Sequence, residues 1–230
     1  MERYHTLEAL VVGRKAMPGG DVILSFVGPE GASQAVARKA MRPSGRSGRL
    51  SLFHHLRFQV YQKPGSDLPT LTQAELVGRL HGLEHPQRFP FAAFLAELAF
   101  RVASPEVAAR VWPLLVSALK GVAKHANPRL VAIWGGWRIL KAAGLAPNLH
   151  GEGTHLLDGD LAPRGGVYLG LEGLEALAAV LRLPGSEAID ALEGTPLDRL
   201  MQALLAHTRY TVGELGSAVL LSNSNAVRRE

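Results

Sequence analysis

The chain has 230 residues, of which 47% are hydrophobic, and it carries a formal net charge of +5 at neutral pH. This composition provides enough apolar side chains for a folded core and argues against a disordered chain. No apolar run approaches the ~20 residues that a membrane-spanning helix needs, and the first residues lack the apolar stretch of an export signal. The absence of cysteine excludes disulfides and thiolate zinc sites. These features predict a cytoplasmic protein with no membrane partner.

The positive charge is concentrated at the N-terminal end. Residues 1–80 contain 11 Lys or Arg and 6 Asp or Glu, whereas residues 81–230 contain 14 of each. The first third of the chain therefore carries the whole excess charge. A basic balance confined to one region is typical of a surface that binds a polyanion such as nucleic acid.

The first 80 residues follow the pattern of a small β-barrel. Short apolar or alternating runs are separated by turn signals, such as Pro18-Gly19-Gly20 and Gly28-Pro29-Glu30-Gly31. The runs predict strands at 7–14, 21–27, 33–39, 52–61 and 71–77. Five strands with tight turns in about 75 residues are typical of an OB-fold barrel. The strand lengths fit a small SH3-like barrel less well.

From residue 84 onwards the apolar period becomes that of helices. The spacing predicts helices at 89–102, 105–122, 128–140, 171–183 and 196–210. Pro105 and Pro128 are expected in the first turn of their helices, and Thr195 is the expected N-cap before Pro196. The segment 128–140 is apolar on nearly all sides, which predicts a buried helix.

The sequence therefore predicts an α+β protein. An N-terminal five-stranded OB-fold β-barrel at 1–80 is followed by an all-helical domain at 81–230. Seven glycines and two prolines at about 144–170 indicate an irregular insertion in that helical domain.

Seven cations in the barrel region are the candidate DNA-binding residues. They are interleaved with glycine and serine at predicted strand ends and in the loop that follows: Arg14, Lys15, Arg38, Lys39, Arg42, Arg46 and Arg49. Such side chains neutralise phosphates, and nearby backbone N–H groups can also reach phosphate oxygens. None of them occupies a defined helical position from which it could read base edges, so we expect little sequence preference. A solvated basic face is the alternative interpretation.

The barrel region also holds aromatic and histidine side chains that need interpretation. Phe26, Phe53, Phe58 and Tyr61 could stack on unpaired bases, although strand alternation would bury several of them. The adjacent His54-His55 pair lies in one strand, so the two rings are expected on opposite faces. One ring would then be packed and the other exposed, and the two could not share one metal ion.

A second function class, a metal-dependent hydrolase, would have to use the insertion. His150, His155, Asp158 and Asp160 are metal-ligand residue types, but no rigid element is predicted to hold them, and a polar surface loop is the alternative. The sequence has no phosphate-binding loop, dinucleotide fingerprint, nucleophile elbow or His-Glu-x-x-His motif. We therefore expect a non-enzymatic protein with no cofactor and no metal.

Several segments form a pattern through their order and spacing. In the barrel region they are 11–15, 18–24, 35–39, 50–55, 58–62 and 71–76. Further on, Gly144, Pro147 and Leu149 form a Gly-x-x-Pro-x-Leu segment after the predicted buried helix. Together these segments resemble the RecO family of bacterial recombination mediators, closely over residues 7–80 and more loosely beyond residue 150.

The resemblance implies a DNA repair function together with an OB domain and a helical domain. It implies binding to single- and double-stranded DNA, annealing of complementary strands, and assisted loading of RecA onto strands coated by single-strand-binding protein (SSB). RecR and the SSB C-terminal tail are the implied partners, and a cytoplasmic, nucleoid-associated location follows. Many relatives hold zinc with four cysteines after the Pro-x-Leu segment, where this chain has none, so no structural zinc is expected.

Two further expectations concern partners. An SSB tail is acidic with an apolar end, so it needs an apolar groove near a cation. Arg129 and Arg138, which flank Trp134 and Trp137, are candidates, and the alternative is that this helix is simply core. An RNA-binding OB-fold protein is the alternative function, and competition between DNA and RNA of equal length separates it from a DNA-repair protein.

Overall fold

The computed structural model describes residues 4–41 and 50–221. These residues divide into two compact units that interleave along the chain. The first unit comprises the described residues up to 81 together with 99–112, and the second comprises residues 82–98 together with the described residues from 113 onwards. The helical segment 99–112 therefore groups with the strands that precede it.

The first unit contains a closed five-stranded barrel. Its strands are β1 (Tyr4–Ala16), β2 (Val22–Gly28), β3 (Gly31–Ala37), β4 (His54–Tyr61) and β5 (Thr70–Arg79), in the order β1-β2-β3-β5-β4. β1 pairs with β4 to close the barrel, and β3 runs parallel to β5. This is the OB-fold arrangement, which confirms the predicted fold class and all five predicted strands.

Strand alternation fills the inside of the barrel. Leu56, Phe58 and Val60 of β4 point inward and are buried, whereas the residues between them are exposed or half-buried. Phe58 stacks on Phe26 of β2, with ring centroids 4.2 Å apart. The 13-residue strand β1 pairs with β4 through its first half and with β2 through its second half. A bulge between Val11 and Gly13 lies in the half that pairs with β2.

The second unit is built mainly from helices. The helices whose bounds lie within the described residues are α1 (Phe89–Val102), α2 (Pro105–Lys124), α3 (Pro128–Ala142), α4 (Gly170–Arg182), α5 (Gly185–Asp190) and α6 (Leu197–Val212). The five predicted helices are present, and the six-residue α5 was not predicted. No described helix is both long and apolar enough to cross a bilayer.

Helix α3 is buried on nearly all sides, as predicted. Asn127 caps its first turn, where the Leu130 N–H donates to the Asn127 side chain at 3.3 Å. Gly135 and Gly136 let neighbouring helices approach closely. A Cβ at Gly135 would lie 2.6 Å from the Ala118 Cβ, and one at Gly136 would lie 2.6 Å from a Leu204 methyl.

Helix α6 begins differently from the prediction. Thr195 does not cap it, because its hydroxyl donates to the Leu192 carbonyl at 2.8 Å. Pro196 is the N-cap residue and provides no side-chain hydrogen bond. The predicted Thr195 cap is therefore wrong, although the helix itself is where the apolar period places it.

The insertion at 144–170 contains a small sheet that the glycine content did not predict. β6 (His155–Leu157), β7 (Asp160–Ala162) and β8 (Val167–Tyr168) form three antiparallel strands in the order β7-β6-β8. Asp158 and Gly159, both with positive φ, connect β6 to β7 as a two-residue hairpin loop. The glycines therefore serve as turn residues between strands rather than marking an unstructured loop.

Candidate nucleic-acid interface

Two connections of the barrel lie at the same end. Ala16, the last residue of β1, pairs with Val22 at the start of β2, and Val22 pairs in turn with Ala37 at the end of β3. The turn between β1 and β2 and the residues that follow β3 are therefore neighbours. The topology brings together Arg14 and Lys15 from the first connection and Arg38 and Lys39 from the second.

Asp21 joins the two connections. Its Oδ1 accepts a hydrogen bond from the Lys39 backbone N–H at 2.8 Å, and its Oδ2 lies 3.5 Å from the Arg38 guanidinium. Lys39 has a positive φ of 54°, a conformation that L-residues adopt rarely and that this bond helps to hold. Asp21 thus organises both cationic residues of the second connection.

Backbone hydrogen bonds fix the same junction. The Met17 N–H donates to the Asp21 carbonyl at 2.9 Å, and the Met41 N–H donates to the Gly20 carbonyl at 3.0 Å. The Arg14 guanidinium contacts the Met41 sulfur at 3.0 Å. The cations are therefore mounted on a constrained surface, which lowers the entropy lost when they bind a ligand.

We call Arg14, Lys15, Arg38 and Lys39 the basic cluster. All four side chains are exposed, and 68% of the Arg38 side chain is accessible to solvent. Asp21, which is 24% exposed, offsets one of the four positive charges. An ion pair as exposed as Arg38–Asp21 contributes only about 0–1 kcal/mol, so Arg38 can leave it for a phosphate at little cost. Arg42, Arg46 and Arg49 lie outside the described residues, and their role stays a prediction.

The outer face of β1, β4 and β5 has a different charge balance. Arg57 lies between two acids, 3.4 Å from Glu8 and 4.0 Å from Glu75, and His55 lies 3.0 Å from Glu8. Local acids compensate the Arg57 charge here. The excess positive potential of the described barrel is therefore at the end that carries the basic cluster.

Most of the candidate stacking aromatics are core residues. Phe26, Phe53 and Phe58 are at most 4% exposed, so the suggestion that they stack on bases is wrong. Phe26 and Phe58 point inward from their strands, and Phe53 is buried in the turn before β4, so that burial of the rings stabilises the fold. Tyr61 is half-buried on the outer face and contacts Tyr4, which is 54% exposed.

The two adjacent histidines are both half-buried, which corrects the expectation that one would be exposed. The His55 ring lies on the outer side of β4, but the Trp112 ring packs against it with centroids 5.7 Å apart. This contact comes from a residue 57 positions further along the chain, and strand alternation alone could not predict it.

The residues proposed for metal chemistry do not form a metal site. Within residues 4–41 and 50–221, no group of three His, Cys, Asp or Glu side chains is arranged to hold a metal ion. His155 packs against the Tyr168 ring at 5.0 Å, and Asp160 accepts a hydrogen bond from the Asn148 amide at 2.9 Å. The metal ligands that the hydrolase alternative requires are therefore not brought together in the described part of the chain.

The two arginines suggested for docking an SSB tail have structural roles. Arg138 donates to the backbone carbonyls of Val180 and Leu183 at 3.3 and 3.1 Å, and Arg129 lies 2.6 Å from Asp198. Trp134 and Trp137 are 6% and 0% exposed. Helix α3 is therefore core, which was the alternative interpretation, and its two tryptophans offer little exposed apolar surface to a tail.

The second unit does have an apolar groove that was not predicted. It encloses about 450 Å³ between α1, α6 and the residues after α6. Its apolar lining includes Phe94, Leu215 and Val219, and the exposed Arg209 also lines the groove. Because the groove depends on the residues after α6 folding back, the helical period contains no signal for it.

The first unit is an OB-fold domain with a constrained basic surface at one end. A family model described as "Recombination protein O N terminal" matches residues 1–80. Residues 1–80 are therefore similar to the N-terminal domain of the RecO family, which confirms the resemblance over this part of the chain and supports a role in DNA recombination and repair. A comparison with curated proteins finds no match to the chain.

Proposed function

We propose that this protein is a non-enzymatic recombination mediator that binds single- and double-stranded DNA and anneals complementary strands. The observation that carries the proposal is the basic cluster, in which two adjoining connections at one end of an OB barrel present four exposed cations and Asp21 contacts two of those residues. OB barrels use their loops and the β2–β3 face to bind oligonucleotides. The turn between β1 and β2 is one of those loops and lies within the cluster.

Annealing fits this arrangement physically. Two complementary strands repel each other through their phosphates, and cations that neutralise both strands lower that barrier without any bond being made or broken. The proposal needs no catalytic group. It also predicts little sequence preference, because phosphate contacts fix position on a strand but do not read bases.

The partners belong to the same proposal. RecR would assist the protein in loading RecA onto SSB-coated DNA, and the SSB tail would dock on the second unit. The groove beside Arg209 has the chemistry that an acidic segment with an apolar end requires, since exposed Val219 offers apolar contact and Arg209 offers a positive charge.

The DNA-binding proposal is tested by titrating a labelled oligonucleotide with the protein across a salt series. The variant Lys15→Gln/Lys39→Gln removes two charges of the basic cluster. The matched control, Arg57→Gln/Arg182→Gln, removes two exposed charges elsewhere and keeps the same net charge. If the cluster binds phosphates, its variant should bind single strands more weakly, with a log–log salt slope shallower by about 1.4, at ~0.7 per contact.

The control should keep a slope close to that of the unsubstituted protein. Equal slopes for the two variants would show that the basic cluster is a solvated face. An RNA oligonucleotide of equal length is run in competition, and preference for RNA would favour the alternative of an RNA-binding OB-fold protein. A strand-annealing assay with the same variants then tests whether DNA bound at the basic cluster is annealed.

A further inference from the structure

Two tyrosines face each other on the outside of the barrel, at the end of β1 remote from the basic cluster. Tyr4 begins β1 and Tyr61 ends β4, and they occupy directly opposed positions in the antiparallel ladder. Their ring centroids are 5.0 Å apart, with 44° between the ring planes. Tyr4 is 54% exposed, so the pair presents aromatic surface to solvent.

The register shows that this exposure is built into the strand. Phe58 and Val60 of β4 are buried, which places Gln59 and Tyr61 on the outer face. Opposed residues of an antiparallel pair share a face, so Tyr4 lies on that face too. Neither ring can turn into the core without a register slip of the whole strand.

The residues beside the tyrosines are polar and uncharged. Thr6, Gln59 and Gln73 form the next row across β1, β4 and β5. The Thr72 hydroxyl is shared between the backbone carbonyl of Gln59, at 3.0 Å, and the Gln59 side-chain oxygen, at 3.2 Å. Along these three strands, the row after that is charged, where Arg57 lies between Glu8 and Glu75. Amides and hydroxyls beside an aromatic surface suit the edges and faces of bases better than they suit phosphates.

We propose that Tyr4 and Tyr61 form a stacking platform for unpaired bases of single-stranded nucleic acid. The turn that follows Tyr61, residues 62–69, connects β4 to β5, and this is the second loop with which OB barrels bind oligonucleotides. The tyrosine platform rests on the proposed function and deepens it: the basic cluster binds phosphates of any strand, and the platform distinguishes single strands from duplex. Gln59 and Thr6 position the edge of the stacked base.

The test compares two probes that share their phosphates and differ in their bases. One probe is a labelled oligothymidylate, and the other is an abasic oligonucleotide of the same length. The protein should bind the oligothymidylate about 5-fold or more tightly than the abasic probe, because stacking one base on an aromatic side chain has an effect of this order. The variant Tyr4→Ala/Tyr61→Ala should lose most of this preference and keep its affinity for the abasic probe and its salt slope.

Two controls separate stacking from folding and from phosphate binding. Tyr4→Phe/Tyr61→Phe keeps the ring faces and should keep the preference. Binding to a duplex of the same length should be unchanged in both variants, because paired bases cannot reach the platform. A preference that survives in the alanine variant would overturn the platform while leaving the basic cluster in place. If the unsubstituted protein binds neither probe, the proposed function fails and the platform fails with it.

Discussion

The contact of α3 with α2 allows a prediction of stability from a single interatomic distance. In Gly135→Ala, the new Cβ would lie 2.6 Å from the Ala118 Cβ, about 1 Å inside the usual carbon–carbon separation of ~3.5–4.0 Å. The Ala118 Cβ is bonded directly to the backbone, so only a helix shift can relieve the overlap. Overpacking of this kind costs about 1–3 kcal/mol, while replacing a helical glycine by alanine recovers about 1 kcal/mol. We expect a net loss of up to about 2 kcal/mol.

The neighbouring glycine provides a matched comparison. A Cβ at Gly136 would also lie 2.6 Å from another atom, but that atom is a terminal methyl of Leu204, which can change rotamer. Gly136→Ala should therefore cost less than Gly135→Ala. Both variants gain the same helix propensity, so the difference in their free energies of unfolding depends on the atom that the new Cβ overlaps.

A double variant tests the reasoning directly. Ala118→Gly alone should lose about 1 kcal/mol of helix propensity and about 0.8 kcal/mol for the missing methyl. In Ala118→Gly/Gly135→Ala, the propensity changes cancel and one methyl again occupies the interface. We expect the double variant to be more stable than the sum of the single variants by about 1 kcal/mol or more.

Urea unfolding followed by tryptophan fluorescence measures these differences. Trp134 and Trp137 lie beside the two glycines, and a Trp112→Phe background confines the emission to the second unit. A Gly135→Ala protein as stable as its parent would refute the packing argument. The packing argument would also be refuted if the stability changes of the two single variants added up to that of the double variant, because the two methyl positions would then be independent.

Two further predictions concern charge. Burial lowers the pKa of His207 below its usual value of 6.5, so the unfolded chain binds the proton more readily, and the free energy of unfolding should fall as pH drops below about 6.5. His207→Gln keeps a donor for the Leu145 carbonyl and should flatten that part of the pH dependence in urea unfolding; an unchanged profile would exclude His207 as its source. Asp21→Asn keeps an acceptor for the Lys39 N–H but removes the charge beside Arg38. It should tighten oligonucleotide binding at low salt and have little effect near 1 M salt, and weaker binding at low salt would contradict this.

The barrel could be predicted from the sequence because local signals mark its elements. Glycine and proline turns separate every pair of predicted strands, and they require chain reversals whatever the rest of the chain does. The hairpin of β6 and β7 carried an equally local signal, Asp158-Gly159 between short apolar runs, and the high glycine content around it obscured this. Helix α5 is six residues long and contains too few turns to show an apolar period.

The candidate site was less predictable because it depends on contacts between distant residues. The cations of the basic cluster were identified from residue type, but the Asp21 bonds that join Arg38 and Lys39 link positions up to 18 apart. Arg138 was a candidate for binding a partner, but its side chain donates to two backbone carbonyls that lie 42 and 45 residues further along the chain. Contacts so distant in sequence give Arg138 a structural role that residue type could not predict. Periodicity gives the face of a strand but not what covers that face, as the contact of Trp112 with His55 shows.

Strand β1 carries a residue of each proposed site, and its length sets a scale for the nucleic acid. Tyr4 and Arg14 are ten residues apart on this strand, which corresponds to at most about 33 Å at ~3.3 Å per residue. Stacked nucleotides advance about 3.4 Å along a strand, so roughly ten nucleotides cover the same distance. A strand of roughly ten stacked nucleotides is therefore long enough to reach both the basic cluster and the tyrosine platform. The dimensions of one β-strand thus set an upper limit on the oligonucleotide length beyond which these two sites add no further affinity.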